Sequence, residues 1–379
     1  MTELSGNLVL PNTIVSGSIH FETRIQDITP TQHETDRYIL PGFIDGHIHG
    51  GDGADTMDGV KAIHTLSRFH ARHGTTTLLP TTITSPWPDV INTLHAIAEV
   101  TGQQILDGPM IHGAHLEGPF VSPHKLGAQP PFNIAPTSEK VLEVLATNCV
   151  RVVTLAPELP HAQTAMESFA KAGVRVSLGH TVASYEQAHQ AICHICKSGG
   201  VVGGTHLFNA MPPIESRRPG PVTALMCSDA YAEMIFDTHH IHPATFQLAQ
   251  RIMPDRLVFV TDAMRAAGLP DGPSQLGGQD VIVENGTARL PNGSLAGSVL
   301  TLDVALRNAV NTGTSLHEAV ALLTRNPANY LGLHDRGILE AGKRADFVVM
   351  DSNLHVQEVW VSGQRIYCLL YTSDAADEL

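Results

Sequence analysis

Histidines and carboxylates recur in this chain at the ends of short apolar runs that read as strands. The residues are His47, His49, Glu117, His180, His206 and Asp262. Imidazole nitrogens and carboxylate oxygens are ligands suited to Zn²⁺ or Fe²⁺. No cysteine belongs to the set, which favours an open catalytic metal site over a closed structural one. These residue types therefore predict metal-assisted chemistry with one or two ions per subunit.

His47 and His49 are separated by a single residue. Side chains two positions apart on a strand point to the same side, so both imidazoles can reach one ion. A single histidine after a strand is more often an ordinary hydrogen-bonded residue than a metal ligand. The prediction of a metal site therefore depends on the whole set, which occurs in order at successive strand ends.

Eight apolar runs form the framework for these residues. They span residues 38–44, 75–80, 110–116, 150–156, 174–178, 201–206, 233–236 and 257–261. Segments with helical spacing separate the runs, such as residues 57–73 with Val60, Ile63 and Leu66 on one stripe. This alternation predicts an α/β fold, a (β/α)8 TIM barrel whose active site forms at the carboxyl ends of the strands. A doubly wound open sheet is the alternative, but it would gather the polar residues at one switch point.

The two ends of the chain differ from its middle. Residues 1–37 and 337–368 alternate apolar and polar residues and carry turn signals, as strands of a half-buried sheet do. We predict a small β-sandwich domain built from both termini, residues 1–40 plus 336–368, beside a catalytic barrel of residues 41–335. A hairpin is predicted within residues 280–296. Residues 369–379 fit neither pattern and are interpreted as a non-native tail.

Composition excludes several classes of protein. The 379 residues include 37 acidic and 23 basic side chains, a net charge of −14, which is unsuited to binding nucleic acid. The five cysteines are an odd number in a long chain, which argues against a disulfide framework. No apolar run of about 18 residues and no basic–apolar leader occurs. We expect a cytoplasmic protein without a nucleic-acid or membrane partner.

Five motifs in order carry a resemblance to a known family. They are Pro41-Gly42-Phe43-Ile44-Asp45-Gly46-His47-Ile48-His49, His115-Leu116-Glu117-Gly118-Pro119-Phe120, Gly179-His180-Thr181, His206-Leu207-Phe208-Asn209-Ala210-Met211 and Thr261-Asp262-Ala263-Met264. The set closely resembles the N-acetylglucosamine-6-phosphate deacetylases of the amidohydrolase superfamily. The resemblance extends to about Arg365 and implies a barrel with a small β domain from both termini.

The resemblance implies a role for each residue of the set. Glu117, His180 and His206 would bind the main metal ion, with zinc expected first and iron as the alternative. His47 and His49, with Glu117 as a bridge and Asp262 as a further candidate, would form a second metal site. Asp262 would accept a proton from the attacking water and pass a proton to the departing amine. Its alternative role is that of a plain metal ligand.

Substrate-binding residues follow from the same resemblance. Asn209, the backbone amide of Ala210, Arg217, His240 and, less directly, Arg218 would face a sugar phosphate. The alternative for the two arginines is a solvated start of a helix. The loop after Glu117 departs from the family pattern, because Gln129 stands where relatives often carry a histidine; His124 or Lys125 are candidate substitutes.

The implied activity is removal of the N-acetyl group from N-acetylglucosamine 6-phosphate, giving glucosamine 6-phosphate and acetate. One alternative is deacetylation of N-acetylgalactosamine 6-phosphate or another acylated amine. Cyclic amidases of the superfamily are disfavoured, because residues 150–158 contain no lysine to bridge two metals. A non-catalytic metal-binding barrel is the alternative from another class; a scaffold has no need of a general base. A homodimer is expected from the resemblance.

Overall fold

A computed structural model describes residues 1–31, 35–103, 105 and 107–369 of the chain. Its strands are β1 (Thr2–Leu10), β2 (Thr13–Phe21), β3 (Ile25–Pro30), β4 (Tyr38–Pro41), β5 (Phe43–Ile48), β6 (Gly50–Gly51), β7 (Ala54–Asp55), β8 (Thr75–Pro80), β9 (Met110–Ile111), β10 (Ala114–Leu116), β11 (Val150–Leu155), β12 (Arg175–Leu178), β13 (Val202–Gly204), β14 (Ala232–Met234), β15 (Leu257–Phe259), β16 (Gly272–Leu276), β17 (Gln279–Glu284), β18 (Thr287–Arg289), β19 (Phe347–Met350), β20 (Val356–Val361) and β21 (Gln364–Cys368). Its α-helices are α1 (Val60–Ala71), α2 (Trp87–Val100), α3 (Ser138–Ala146), α4 (Ala162–Lys171), α5 (Tyr185–Lys197), α6 (Gly220–Met226), α7 (Pro243–Ile252), α8 (Leu302–Asn311), α9 (Leu316–Leu323) and α10 (Arg325–Leu331).

Strands from both ends of the chain form one seven-stranded sheet in the order β21-β20-β19-β4-β1-β2-β3. β1 and β2 pair antiparallel over their full length, from Thr2 opposite Phe21 to Leu10 opposite Thr13. β4 joins the two halves, since it runs parallel to β1 and antiparallel to β19. Phe21 also contacts Phe347 edge to face, with ring centroids 4.9 Å apart. Hydrogen bonds and a shared apolar core therefore hold the two chain ends together.

The middle of the chain alternates parallel strands with helices. Three groups of strands pair in parallel: β5-β8-β9, β10-β11-β12-β13 and β14-β15. Backbone hydrogen bonds continue between groups, because the N–H of Thr82 donates to the carbonyl of His115 (3.1 Å) and that of Asp262 to the carbonyl of His47 (2.9 Å). Every residue of β5 and β8 is buried, as expected for parallel strands covered on both faces. The carboxyl ends of these strands thus lie in one connected framework.

Two helices illustrate how the sequence pattern becomes structure. Helical spacing predicts a helix within residues 57–73, and α1 occupies the central part of that segment, with Ile63 and Leu66 buried. Ser184 is the N-cap of α5. The Ser184 hydroxyl accepts from the backbone N–H of Gln187, and the Gln187 side chain accepts from the backbone N–H of Ser184. This capping box satisfies two N–H groups that the helix leaves without partners.

The strand predicted over residues 38–44 is wrong in one respect, because the structure divides this segment between two sheets. β4 ends one residue before Gly42 and belongs to the seven-stranded sheet, whereas β5 begins one residue after it. The N–H of Gly42 donates to the carbonyl of Asp346, and a Cβ at this position would lie 2.2 Å from the Thr76 hydroxyl. An apolar run looks the same in either sheet, so the pattern does not reveal where the chain changes sheets.

A separate three-stranded antiparallel sheet, β16-β17-β18, follows the last parallel strand. Within the predicted hairpin segment, residues 280–296, β17 and β18 meet at a turn through Asn285 and Gly286, which both have positive φ angles. Such angles are typical of the tight turns in two-residue hairpins. Leu276 of β16 packs in the same apolar cluster as Ile83, which follows β8. The sheet therefore packs beside the carboxyl end of β8.

No α-helix within the described residues combines the length and the apolar character needed to cross a membrane. The predicted non-native tail, residues 369–379, lies outside the described residues except for Leu369.

Candidate metal-dependent active site

Two histidines mark the end of β5. His47 lies within the strand and His49 directly follows it, so the alternation of the strand turns both side chains to the same side. Their Nε2 atoms are 3.3 Å apart. Both residues are buried. The structure therefore brings the predicted His-x-His pair together inside the protein.

Glu117, His180 and His206 come from three further strand ends. Glu117 directly follows β10, whereas the histidines follow β12 and β13 by two residues. Glu117 Oε1 lies 3.2 Å from His180 Nε2 and 3.1 Å from His206 Nε2, and the two Nε2 atoms are 3.0 Å apart. All three residues are buried. Residues distant in sequence thus place three ligand atoms within the reach of one ion.

Asp262 and Glu117 connect these two groups. Asp262 Oδ1 lies 3.2 Å from His49 Nε2 and 3.6 Å from His47 Nε2. The second carboxylate oxygen of Glu117, Oε2, lies 3.2 Å from His49 Nε2. One oxygen of Glu117 therefore faces His180 and His206 while the other faces His49, which is the arrangement of a bridging carboxylate.

Three residues of the cluster have strained backbone conformations. The φ angles of His180, His206 and Asp262 are 46°, 31° and 48°, in the left-handed region that side chains other than glycine rarely adopt. Each such residue costs on the order of 1–3 kcal/mol, and the strain persists only where surrounding structure enforces it. Strain of this kind is common at functional sites, so it supports the interpretation of the cluster as one.

The hydrogen bonds of His180 indicate that the cluster fits a cation. The Nδ1 atom of His180 lies 2.8 Å from the carbonyl of Lys125, which can only accept, so Nδ1 carries a proton and Nε2 is the nitrogen left to bind an ion. The Nε2 lone pair then faces the Glu117 carboxylate and the His206 nitrogen at close distance. Such electron pairs repel each other unless a proton or a metal ion lies between them. Two imidazoles and a carboxylate are also a ligand set of catalytic zinc sites.

The cluster opens into a cavity of about 320 Å³. Among the residues that line it are His49, Glu117, His180, His206 and Asp262. This volume is within the range of small-molecule sites, which is roughly 300–1,000 Å³.

The structure brings three of the predicted substrate residues to this cavity and leaves two outside. Asn209, Ala210 and His240 line it. Arg217 is exposed and is not among the lining residues, and the exposed Arg218 forms an ion pair with Glu215 at 2.8 Å. The loop between β13 and α6 therefore contributes its first part to the cavity and exposes its arginines.

Comparison with known proteins identifies the family. A model described as "Amidohydrolase family" matches residues 38–366, which include every residue of the cluster. The chain belongs to the amidohydrolase family. Members of this family are metal-dependent, and their fold is a TIM barrel plus a small domain.

Several relatives of this amidohydrolase carry more specific names. An N-acetylgalactosamine-6-phosphate deacetylase of Escherichia coli O157:H7 is 38% identical over 353 residues, which cover 90% of this chain and 91% of that protein. An N-acetylglucosamine-6-phosphate deacetylase of Lysinibacillus sphaericus is 38% identical over 335 residues, 86% of this chain and 85% of that protein. The solved N-acetyl-D-glucosamine-6-phosphate deacetylase of Mycobacterium smegmatis, in complex with N-acetyl-D-glucosamine-6-phosphate, has a TM-score of 0.88 at 33% identity and covers 96% of this chain and 98% of its own. The resemblance carried by the sequence motifs is confirmed.

Burial and charge act in opposite directions on the ionisable groups of this amidohydrolase site. Burial raises the pKa of Asp262, but the charge of His47 and the contact with His49 outweigh burial and lower the pKa to about 2. Burial also raises the pKa of Glu117, yet His47, His180 and His206 bring it well below its ordinary value. Both carboxylates are therefore ionised at neutral pH and available as ligands or proton acceptors.

Two acidic residues beside the site were missed by the sequence analysis. Asp237 Oδ2 lies 2.7 Å from His240 Nδ1, and its Oδ1 accepts from the backbone N–H groups of His239 and His240. Asp237 thereby fixes the imidazole of His240 at the cavity wall. Glu233 contacts His47. The available signal for Glu233 was a charged residue inside an apolar run predicted to be a buried strand.

Gln129, the departure from the family pattern, lies against a predicted metal ligand. Its side-chain N–H donates to Glu117 Oε2 at 2.6 Å, and its carbonyl accepts from the backbone N–H of Thr84 at 2.7 Å. His124 is exposed, and neither it nor Lys125 lines the cavity. Gln129 therefore joins the segment after β8 to the carboxylate of Glu117.

Replacing Gln129 by alanine is expected to lower the free energy of unfolding by about 1–3 kcal/mol, because the buried N–H of Thr84 loses its acceptor. Urea denaturation of the two proteins measures the difference. The control is Gln275→Ala, since Gln275 is exposed and its side chain donates to Asp280, away from the cluster. The control should change stability by less than about 0.5 kcal/mol. Equal losses in both variants would contradict the role assigned to Gln129.

Proposed function

We propose that this chain hydrolyses the N-acetyl group of N-acetylglucosamine 6-phosphate and releases glucosamine 6-phosphate and acetate. The observation that carries the proposal is the convergence of Glu117, His180 and His206 with Asp262 in the lining of one cavity. The relatives named deacetylases support the substrate class.

Glu117, His180 and His206 would hold the main divalent ion, and zinc suits their nitrogen and oxygen donors, with iron as the alternative. His47 and His49 would hold a second ion together with the other oxygen of Glu117. A bound divalent ion lowers the pKa of water and polarises an amide carbonyl.

Asp262 would carry the protons of the reaction. Its ionised carboxylate accepts a proton as water oxygen forms a bond to the acetyl carbon. When the carbon–nitrogen bond breaks, Asp262 returns that proton to the departing amine nitrogen, so the products are acetate and the free amine. Asp262 is ionised at neutral pH, so its carboxylate has a free lone pair for this proton at the start of each cycle. If Asp262 were a plain metal ligand, it would move no proton. A substitution at Asp262 can distinguish the two roles.

The substrate would lie across the cavity with its phosphate toward the loop between β13 and α6. Asn209, the Ala210 amide and the oriented His240 supply hydrogen-bond donors, and Arg217, on the loop that carries Asn209, supplies a cation. A chain with a net charge of −14 needs such a local cation to bind a phosphate, because its overall field repels anions.

A second candidate substrate is N-acetylgalactosamine 6-phosphate. The relative from Escherichia coli O157:H7 that is named for this epimer is as identical to the chain as the one from Lysinibacillus sphaericus that is named for N-acetylglucosamine 6-phosphate. The chemistry at Asp262 is the same for both epimers, so only the fit of the sugar to the cavity distinguishes them.

We also infer the wider organisation of the protein. Residues 41–335 would form a closed (β/α)8 barrel, supported by backbone hydrogen bonds such as Gly204 N–H to the Tyr231 carbonyl. Residues 1–40 and 336–368 would form the small β-sandwich domain. A homodimer in the cytoplasm is the assembly that the family resemblance suggests.

An acetate-release assay on purified protein of known metal content tests the function. The panel contains both N-acetylhexosamine 6-phosphates, their unphosphorylated sugars and an N-acetylated amine without a sugar. We expect acetate from at least one of the sugar phosphates and far less from the unphosphorylated sugars. Metal-loaded protein that releases no acetate from any member of the panel would refute the proposal.

Replacing Arg217 by alanine is expected to reduce the preference for a phosphorylated over an unphosphorylated sugar by about 10-fold or more, the equivalent of one charge-assisted hydrogen bond. The ratio of kcat/KM for the two sugars measures the preference. Arg218→Ala is the matched control, because Arg218 already pairs with Glu215. An unchanged ratio in Arg217→Ala would show that Arg217 does not contact the phosphate.

A further inference from the structure

Glu233 is a buried acidic residue that the proposed reaction does not use. It is the middle residue of β14 and is only 2% exposed. Its Oε2 lies 2.9 Å from Nδ1 of His47, and its Oε1 has no hydrogen-bond partner within the described part of the chain. The Nδ1 of His115 is 3.9 Å from Oε1, but that nitrogen contacts the carbonyl of Gly46 at 3.1 Å. Burying a carboxylate costs free energy unless it is paired. Because His47 is its close partner, the burial of Glu233 points to a role for this contact.

The contact determines which nitrogen of His47 carries the proton. A carboxylate only accepts, so Nδ1 of His47 donates to Glu233, and Nε2 is the nitrogen left to bind an ion. That Nε2 faces His49 Nε2 at 3.3 Å and Asp262 Oδ1 at 3.6 Å. Glu233 thus aims the lone pair of His47 at the point where a second ion would bind.

The other three histidines of the cluster lack such a partner. Nδ1 of His49 and Nδ1 of His206 have no hydrogen-bond partner among the residues that the structure describes. Nδ1 of His180 contacts a neutral backbone carbonyl. His47 is therefore distinguished by a carboxylate behind its ring.

We propose that Glu233 is a positioning residue that enables the His47–His49 side of the site to hold a second divalent ion. The inference rests on the proposed function, because it concerns the same metal site.

The expected size of the effect follows from known metal sites. A carboxylate that accepts from the far nitrogen of a metal-bound histidine raises the basicity of the ring and fixes its orientation, and its loss typically weakens metal affinity 10–100-fold. Loss of the Glu233 carboxylate should therefore weaken binding of the second ion by this factor. The first ion, held by Glu117, His180 and His206, should be less affected, because the Glu233 carboxylate contacts His47.

The test compares the full chain with Glu233→Gln, which keeps the shape of the side chain and removes its charge. Each protein is stripped with a chelator and titrated with Zn²⁺ and with Co²⁺, and bound metal is counted by elemental analysis. We expect two ions per wild-type chain, and a second ion bound 10–100-fold more weakly in Glu233→Gln. The control is Asp303→Asn, because Asp303 on α8 is a buried carboxylate that contacts a histidine, His73, outside the cluster. It should keep two ions.

The outcomes separate this inference from the proposed function. One ion per wild-type chain, or equal affinity for the second ion in Glu233→Gln and wild type, overturns the role of Glu233 even if wild type releases acetate. Two ions and a weakened second site in the variant support it even if acetate release fails. Should Glu233→Gln not fold, Glu233→Asp carries the test. The shorter aspartate side chain draws the carboxylate away from His47. If the variant bound the second ion with unchanged affinity, the proposal would be overturned.

Discussion

Replacing Asp262 by asparagine is expected to leave the metal ions bound and to remove nearly all turnover. The side-chain oxygen of the asparagine can still face His49. A neutral amide, however, is too weak a base to accept a proton from water and then return it to the amine. General acid–base groups contribute about 10²–10⁴-fold to rate, so kcat should fall by at least about 100-fold. Steady-state acetate release gives kcat, and elemental analysis of the same sample gives the metal content.

The matched control for this substitution is Asp303→Asn, the same change at a buried aspartate outside the cluster. It should retain turnover close to wild type. An Asp262→Asn variant that keeps more than about a tenth of the wild-type kcat, a barrier change under roughly 1.4 kcal/mol, would favour the plain ligand role over the proton-transfer role.

Replacing Glu117 by glutamine is expected to remove both the bound metal and the activity. Its two oxygens lie within 3.2 Å of nitrogens of His49, His180 and His206, so this carboxylate contributes to both halves of the cluster. Metal affinity should fall by more than about 100-fold, beyond the loss typical of residues that only support ligands. Turnover should fall by more than about 1,000-fold, equivalent to about 4 kcal/mol in the barrier. Metal titration and acetate release measure the two effects.

Removal and return of metal provide the companion measurement. Wild type stripped with a chelator should lose activity and regain it when Zn²⁺ is added, whereas Glu117→Gln should not recover at the same Zn²⁺ concentration. Glu143→Gln is the control, because Glu143 lies on the surface and accepts a hydrogen bond from Trp87, outside the cluster. A Glu117→Gln protein that retains stoichiometric metal and substantial turnover would contradict the central role of Glu117.

The two substitutions distinguish binding from chemistry. Asp262→Asn should separate them, since metal remains and turnover disappears. Glu117→Gln should abolish both together. If both variants lost metal equally, Asp262 would be better described as a ligand.

Much of the candidate site could be predicted because strand geometry is local. His47 and His49 are two residues apart on a strand, and alternation alone places them on one side. Glu117, His180 and His206 follow strands, so a parallel arrangement brings them to one end. Residue type and position relative to a strand were sufficient for these predictions.

Other features could not be predicted from local patterns. The division of residues 38–44 between two sheets depends on a crossing at Gly42, which an unbroken apolar run conceals. The exposure of Arg217 depends on the course of a long loop. The contact of Glu233 with His47 joins residues 186 positions apart, and the sequence around either residue does not indicate the other.

The sequence by itself determined the kind of chemistry, because side-chain type sets which atoms can bind a metal or carry a proton, and the order of motifs identified the family. Only the tertiary structure decided how those atoms face one another. The two oxygens of Glu117 have different partners, and the proton of His47 lies toward Glu233, because hydrogen bonds are directional and depend on groups that distant segments supply. Ligand identity is a property of single residues, whereas tautomer, orientation and charge compensation are properties of the packed site.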